Sequence, residues 1–305
     1  MSFRAVLEGV PKVLEPIFRQ FGVKATYLLS PEVIRSDECV SVLKVARKNG
    51  AELGTHLHGE FIEPCANPET DATWEMQNTY SREVEYQKLK NLTILFEEKF
   101  GDKPRSFRAG RFGIGKHSLS ILSELGYIVD SSVTPYCIWN DKGGYAEFFG
   151  APTQPYYPDK TNPKKRGSLP ILEVPITIGK TWYEFIPETL LSTIPKYPWL
   201  WALPHKLLKQ RFKPVFLRPT FSSGTFENMS SLILSQIKKN QHQNLFLVMV
   251  FHNVDFVPGC SPYAQTESEV EEFSQRLSDI LRFLQSKQVQ FNTLSEIHNS
   301  YHVDR

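Results

Sequence analysis

Residues 52–60 read Glu52-Leu53-Gly54-Thr55-His56-Leu57-His58-Gly59-Glu60, a short apolar run that ends in two imidazoles and a carboxylate. Gly54 frees the backbone at the end of the run, and His56, His58 and Glu60 then fall within five positions, so one loop could grip a divalent cation. The competing reading is plainer. Alternate residues of a strand point the same way, and two histidines can simply share a polar face.

Residues 51–54 read as the strand that delivers this loop, and the pattern on both sides alternates helix and strand. Upstream, Val13, Leu14, Ile17 and Phe21 recur at helical spacing over residues 10–21, and residues 25–29 favour extended geometry. Ser30 as N-cap and Pro31 in the first turn open another amphipathic helix, which Asn49 and Gly50 stop. Downstream, Val84, Leu89, Leu92, Leu95 and Phe96 mark one side of a long helix over residues 80–100, ended by Gly101. Residues 106–110 form a short strand entering a glycine-rich loop, residues 116–125 a helix, and residues 127–130 a further strand.

The middle of the chain loses this period. Prolines, glycines and aromatics crowd residues 134–170, the composition of a long excursion that shapes a binding site. A strand is expected at residues 169–178, then a second Pro- and Trp-containing insertion at about 180–220. Order returns with a helix at residues 229–239, an apolar strand at residues 245–251 ending in His252, a helix at residues 267–285, a short strand at residues 289–291 and a final helix.

Repeated strand–loop–helix units with apolar strands predict a parallel sheet covered by helices. Polar residues stand where several strands end: His56 and His58, Arg108 and Arg111, Asp130, and His252. A barrel assembles one active site from the carboxyl ends of different strands in this way. The expectation is an α/β barrel, one domain over residues 1–305, with irregular insertions at about 134–170 and 180–220.

Whole-chain properties bound the function. At 305 residues, 41% hydrophobic and 22% charged, the chain has ordinary globular composition and enough length for a deep core. A formal charge of +2 and no basic cluster larger than Lys164-Lys165-Arg166 give no field for a nucleic acid or an anionic membrane. The four cysteines, Cys39, Cys65, Cys137 and Cys260, lie far apart without a C-x-x-C pair, which points to reduced thiols. No stretch approaches the about 18 apolar residues of a membrane span, and the first residues lack the apolar core of a signal peptide. A cytoplasmic protein is expected.

His252 shares its strand end with Asn253 and Asp255, a polar mouth from which a histidine could protonate a leaving group. Arg108 and Arg111 flank Ala109-Gly110. That loop has no Walker lysine in register, so an arginine orienting a carboxylate is the better reading than phosphate binding. Asp130 could cap the turn at Ser131-Ser132 or hold a histidine in one tautomer.

Glu52-Leu-Gly-Thr-His56, Phe107-Arg108-Ala-Gly-Arg111-Phe-Gly113, Leu125-Gly-Tyr-Ile-Val-Asp130-Ser-Ser and Val250-Phe-His252, in this order and spacing, resemble the polysaccharide deacetylase family, with its NodB homology domain. Phe291-Asn-Thr-Leu-Ser-Glu296 resembles the end of such domains. The resemblance implies a distorted (β/α) barrel and a metal-dependent hydrolase that removes N-acetyl groups from amino sugars of polysaccharides or glycoconjugates. It implies a divalent metal, usually zinc, at His56, with His252 as general acid, Asp130 as that acid's orienting partner and Arg108 steadying the base. The family's second metal histidine falls at Glu60 in this chain, so either His58 or Glu60 takes its place, with His58 preferred. Arg111, Phe112 and Trp139 are the expected substrate contacts.

One departure is large. The family opens with a strand ending in paired aspartates, the base and a metal ligand, ahead of the helix at Val10, and here no aspartate precedes Asp37. Either the chain starts downstream of that first strand or catalysis has been lost; the first account is preferred, and weak or absent turnover is expected. Two other functions remain open: a non-catalytic carbohydrate-binding protein, using Trp139, Tyr145, Tyr156, Tyr157, Trp182, Trp199 and Trp201, and an amidase acting on a small non-sugar amide.

Overall fold

The computed structural model describes residues 3–64, 75–141, 144–179, 214–241 and 244–301. Its strands are β1 (Thr26–Leu29), β2 (Glu52–Leu57), β3 (Ser106–Ala109), β4 (Val129–Asp130), β5 (Ile138–Asp141), β6 (Gly144–Glu147), β7 (Leu172–Glu173), β8 (Ile178–Gly179) and β9 (Val215–Phe216). Five of them, in the order β1-β2-β3-β4-β7, form one sheet whose neighbours all pair in parallel. Parallel neighbours require crossovers, and helices supply them. Segments α2 (Pro31–Arg35) and α3 (Asp37–Lys48) lead from β1 to β2, α4 (Arg82–Phe100) from β2 to β3, and α5 (Ser118–Glu124) from β3 to β4. A π-helical segment, Ala5–Leu14, runs into α1 (Glu15–Phe21), and the carboxyl-terminal part carries α6 (Phe226–Lys239), α7 (Glu267–Ser286) and α8 (Leu294–Ser300).

The stops expected at Asn49 and Gly101 hold, but the helix expected to run from Ser30 to Asn49 breaks at Ser36 into α2 and α3, and Ser30 makes no side-chain cap bond. Gly101 closes α4 with a left-handed φ of 85°. Thr266 and Thr293 each form a capping box with the glutamate three residues on. Leu43, Leu89, Leu92, Phe96, Phe107 and Ile121 fill the space between helices and sheet. A second apolar cluster, with Leu14, Met229, Ile233, Leu277 and Ile280 at its centre, binds the carboxyl-terminal helices to the first ones.

Several elements differ from the sequence reading. β2 continues through Leu57, so His56 belongs to the strand and only His58 to Glu60 lie beyond it. The helix expected from Val10 already begins at Ala5. The excursion over residues 134–170 contains an ordered antiparallel hairpin, β5–β6. Residues 245–251 make no regular ladder: Thr177 N donates to Val248 O (3.1 Å) and Val250 N to Leu217 O (3.2 Å). Residues 289–291 likewise form no strand. Much of the insertion expected at about 180–220, with Trp182, Trp199 and Trp201, lies outside the described residues.

Among the described residues no closed barrel forms, and no strand pairs with the outer edge of β1. Between that edge and residues 245–251 lies a cavity of about 1610 Å³, walled by Leu14, Tyr27, Leu247, Met249, Phe251 and Leu281 and reaching the histidines. The predicted (β/α) barrel is therefore present in an open form. No described helix is long and apolar enough to cross a membrane.

Candidate functional site at the carboxyl ends of the strands

The parallel register brings the motif residues together. His56 on β2 pairs with Arg108 on β3, and Phe107 on β3 pairs with Asp130 on β4. His56 Nδ1 lies 2.8 Å from the Arg108 carbonyl oxygen. A carbonyl only accepts, so Nδ1 carries the proton and Nε2 presents a lone pair. Burial, with help from the neighbouring histidine, pushes the His56 pKa well below its ordinary value, so the ring stays neutral. The His58 ring lies 4.7 Å from it, centroid to centroid.

The turn after β2 is fixed from beneath. Buried Lys88 on α4 donates to Gly59 O (2.8 Å) and Ile62 O (2.9 Å). Glu60, a candidate ligand in the sequence, instead receives Arg111 Nη2 at 2.8 Å, while His58 Nδ1 stands 3.7 Å from the same oxygen. Arg111, expected to meet substrate, is the partner in that ion pair. Burial lowers the His58 pKa, against the charges of Glu60 and Glu32.

Arg108 spends two of its donors on one residue: Nε reaches Ser131 O (2.8 Å) and Nη2 reaches Ser131 Oγ (2.9 Å). Burial lowers its pKa to about 10. Asp130 accepts from Ser132 Oγ (2.7 Å) and Ser132 N (3.2 Å), the capping role weighed in the sequence. Glu173, its register neighbour on β7, accepts from Val133 N at 3.0 Å. The two carboxyls are fully buried side by side, so burial and the Asp130 charge raise Glu173 well above the carboxylate range, and it holds a proton. Nothing in the sequence beyond one glutamate in an apolar strand pointed to Glu173.

Asp130 makes its hydrogen bonds to Ser132 and not to His252 among the described residues. Arg218, which sequence reasoning missed, meets that ring: its Nη2 lies 3.1 Å from His252 Nδ1 and 3.1 Å from Asp255 Oδ2. Nε holds Thr220 Oγ1 at 3.0 Å, and the guanidinium sits 3.8 Å over the Phe221 ring. A charged side chain in the apolar run Phe216-Leu217-Arg218 was the available signal. A guanidinium only donates, so His252 Nδ1 accepts and its proton sits on Nε2. Although the ring opens onto the cavity, surrounding protein and the Arg218 charge push its pKa down to about 4.

At the rim, Phe112 and Trp139 stack at 5.0 Å and 28°, with Trp139 Nε1 held by Thr134 Oγ1 at 2.7 Å. Arg111 (φ 52°) and Phe112 (φ 54°) both adopt left-handed backbone, a cost of about 1–3 kcal/mol each that clusters at ligand sites. His56, His58, Arg108, Arg111, Phe112, Trp139 and His252 all line the same cavity; Asp130 and Glu60 do not.

A catalytic zinc site takes three protein donors and a water. His56 Nε2 suits such a role and His58 stands beside it, but among the described residues no group of three His, Cys, Asp or Glu side chains is placed to hold a metal ion. These residues alone do not fit zinc.

No protein-family model matches the sequence, and no curated protein matches it. Solved structures do. A protein assigned as a polysaccharide deacetylase from Mycobacterium smegmatis superposes with a TM-score of 0.55 at 14% identity, over 97% of this chain and 77% of that one. PuuE allantoinase gives 0.55 at 13% identity, over 99% and 74%. A second protein assigned as a polysaccharide deacetylase, from Pseudomonas aeruginosa PAO1, gives 0.52 at 14% identity, over 97% and 75%. At such identities the likeness shows the fold: a (β/α) barrel of the polysaccharide deacetylase type.

Proposed function

We propose that the chain is a hydrolase of carbon–nitrogen bonds that removes N-acetyl groups from amino sugars of a polysaccharide or glycoconjugate. One observation carries the reading. His56 on β2, His58 just beyond it, Arg108 on β3 and His252 at the end of residues 245–251 line one cavity in a fold shared with polysaccharide deacetylases. Amide hydrolysis needs donors for the carbonyl oxygen and a proton for the departing nitrogen. As hydrogen-bond donors toward the carbonyl oxygen, neutral His252 offers Nε2–H and Arg108 a buried guanidinium, while the stacked Phe112–Trp139 pair offers a flat apolar face to a sugar ring. A divalent cation, if bound, would take His56 Nε2 and His58 as donors and polarise the acetamide carbonyl. Its donor set is incomplete here, so no step is derived through it.

Acetate release from tri-N-acetylchitotriose, set against ammonia or amine release from small amides, tests the substrate class. Acetate from the sugar alone supports the reading, and turnover of small amides alone replaces it. A second reading, carbohydrate binding without turnover, is favoured by the tie between Glu60 and Arg111, which engages the carboxylate beside His58 in an ion pair. Sugar binding that survives His252→Ala with no acetate from the parent chain would select it.

A further inference from the structure

Hydrolysis of an amide needs a group to take the proton of the attacking water, and most acids near the histidines are otherwise engaged. Glu60 pairs with Arg111, Asp255 with Arg218, and Asp130 and Glu173 with the Ser132–Val133 turn. None of these four lines the cavity. Glu32 does, and among the described lining residues it is the only acid, in company with His56, His58, Arg108 and His252.

Its placement follows from the register. Leu29, the last residue of β1, pairs with Thr55, so the turn into α2 lies at the end of the sheet where His56 and His58 emerge. Barrel enzymes gather their catalytic groups at this end. The Glu32 Oε2 atom is buried and has no hydrogen-bond partner among the described residues. A carboxylate oxygen shut away from water without a donor costs about 1–3 kcal/mol or more, and native folds keep such atoms where a ligand or a proton completes them. The Glu32 charge also bears on His58.

We propose that Glu32 is the catalytic base of this site, on the reading that the cavity hydrolyses an N-acetyl group. As the water oxygen bonds to the acetyl carbon, Glu32 takes one water proton. As the carbon–nitrogen bond breaks, the nitrogen leaves with a proton returned from the same carboxyl. Amide and water give acetate and amine, and no other reactant enters.

The test is an affinity label that needs no turnover: chitotriose carrying an N-bromoacetyl group, whose CH₂–Br is displaced by a nearby carboxylate to form an ester. Peptide mapping by mass spectrometry should find the ester on Glu32, suppressed by excess tri-N-acetylchitotriose, lost in Glu32→Gln and kept in Glu38→Gln, an exposed control on α3. Acetate release should fall at least tenfold in Glu32→Gln and recover in part in Glu32→Asp, with melting and sugar affinity unchanged. Sugar binding measured by calorimetry, with the label on another residue and Glu32 untouched, overturns the assignment of the base while leaving the substrate class standing. Absence of any sugar binding overturns both. Glu32→Gln releasing acetate within twofold of the parent rate also overturns the base.

Discussion

A guanidinium has no acceptor, so the contact between Arg218 and His252 fixes the histidine as its Nε2–H tautomer and aims a neutral donor at the cavity. Long-range ¹H–¹⁵N spectra of histidine-labelled protein should show that tautomer for His252 at pH 7, and Arg218→Met should convert it to mixed tautomers with a higher pKa. An imidazolium at pH 7 in the parent chain would contradict this. The same physics sets a pH dependence. His56 and His252 are both lowered in the fold, so between about 6.5 and 4 the unfolded chain binds more protons. Their contribution to stability is complete above the unfolded value and is lost as pH falls, and thermal melts from pH 7.5 to 4.5 should show His252→Ala losing less than the parent. Glu173 works in the opposite sense. Its raised pKa means that the folded state holds a proton which the unfolded chain releases above about 4.3, so this contribution is lost as pH rises. Glu173→Gln keeps a donor toward Asp130 and an acceptor for Val133 N without that penalty. It should leave stability at pH 7 unchanged or improved by about 1 kcal/mol in urea titration, whereas Glu173→Ala, which leaves Val133 N unpaired, should cost about 2–4 kcal/mol.

At the scale of elements, the site depends on how tightly β2 and β3 approach. A side chain on Gly110 would run into the Leu57 carbonyl oxygen and crowd the His58 ring. Gly110→Ala should therefore cost about 1–3 kcal/mol in urea titration and weaken sugar binding, because strain that opens the end of β2 moves both histidines. This local order is also what made the elements readable from the sequence. Stops such as Asn49 and Gly101 are short-range signals, and the structure honours them, whereas the side-chain caps at Ser36, Thr266 and Thr293 are seen only in the structure. Residues 245–251 misled the reading because apolar β-branched composition predicts an extended chain but not a ladder. A ladder needs an aligned neighbour, and among the described residues this segment makes separate bonds to Gln154, Thr177 and Leu217 instead. Long-range pairings decided the site's hidden members. Arg218 meets His252 across 34 residues, and Glu173 meets Asp130 across a strand pair, and neither separation leaves a periodic trace. The spacing and family position that made Glu60 a candidate ligand carry no information about Arg111, which pairs with it from 51 residues away.

Among the described residues the defining feature at the largest scale is the seam between β1 and residues 245–251, which no strand closes. Its walls, including Leu14, Leu247, Met249 and Leu281, are apolar and border a cavity of about 1610 Å³. Apolar surface facing such a space is the kind that binds hydrophobic dyes. The folded protein at pH 7 should enhance anilinonaphthalene sulfonate fluorescence while still melting cooperatively, and no enhancement would mean that the seam is closed in solution. The seam ends at the histidines, so the openness of the fold and the chemistry of the site are linked. The most direct test of the hydrolase reading is acetate release from tri-N-acetylchitotriose by the parent chain, His56→Ala and His252→Ala, with sugar binding followed in parallel. The account predicts slow release above the protein-free rate, reduced at least tenfold by either substitution while binding persists. Release that is unchanged by both substitutions, or no release from a chain that binds the sugar, would contradict it.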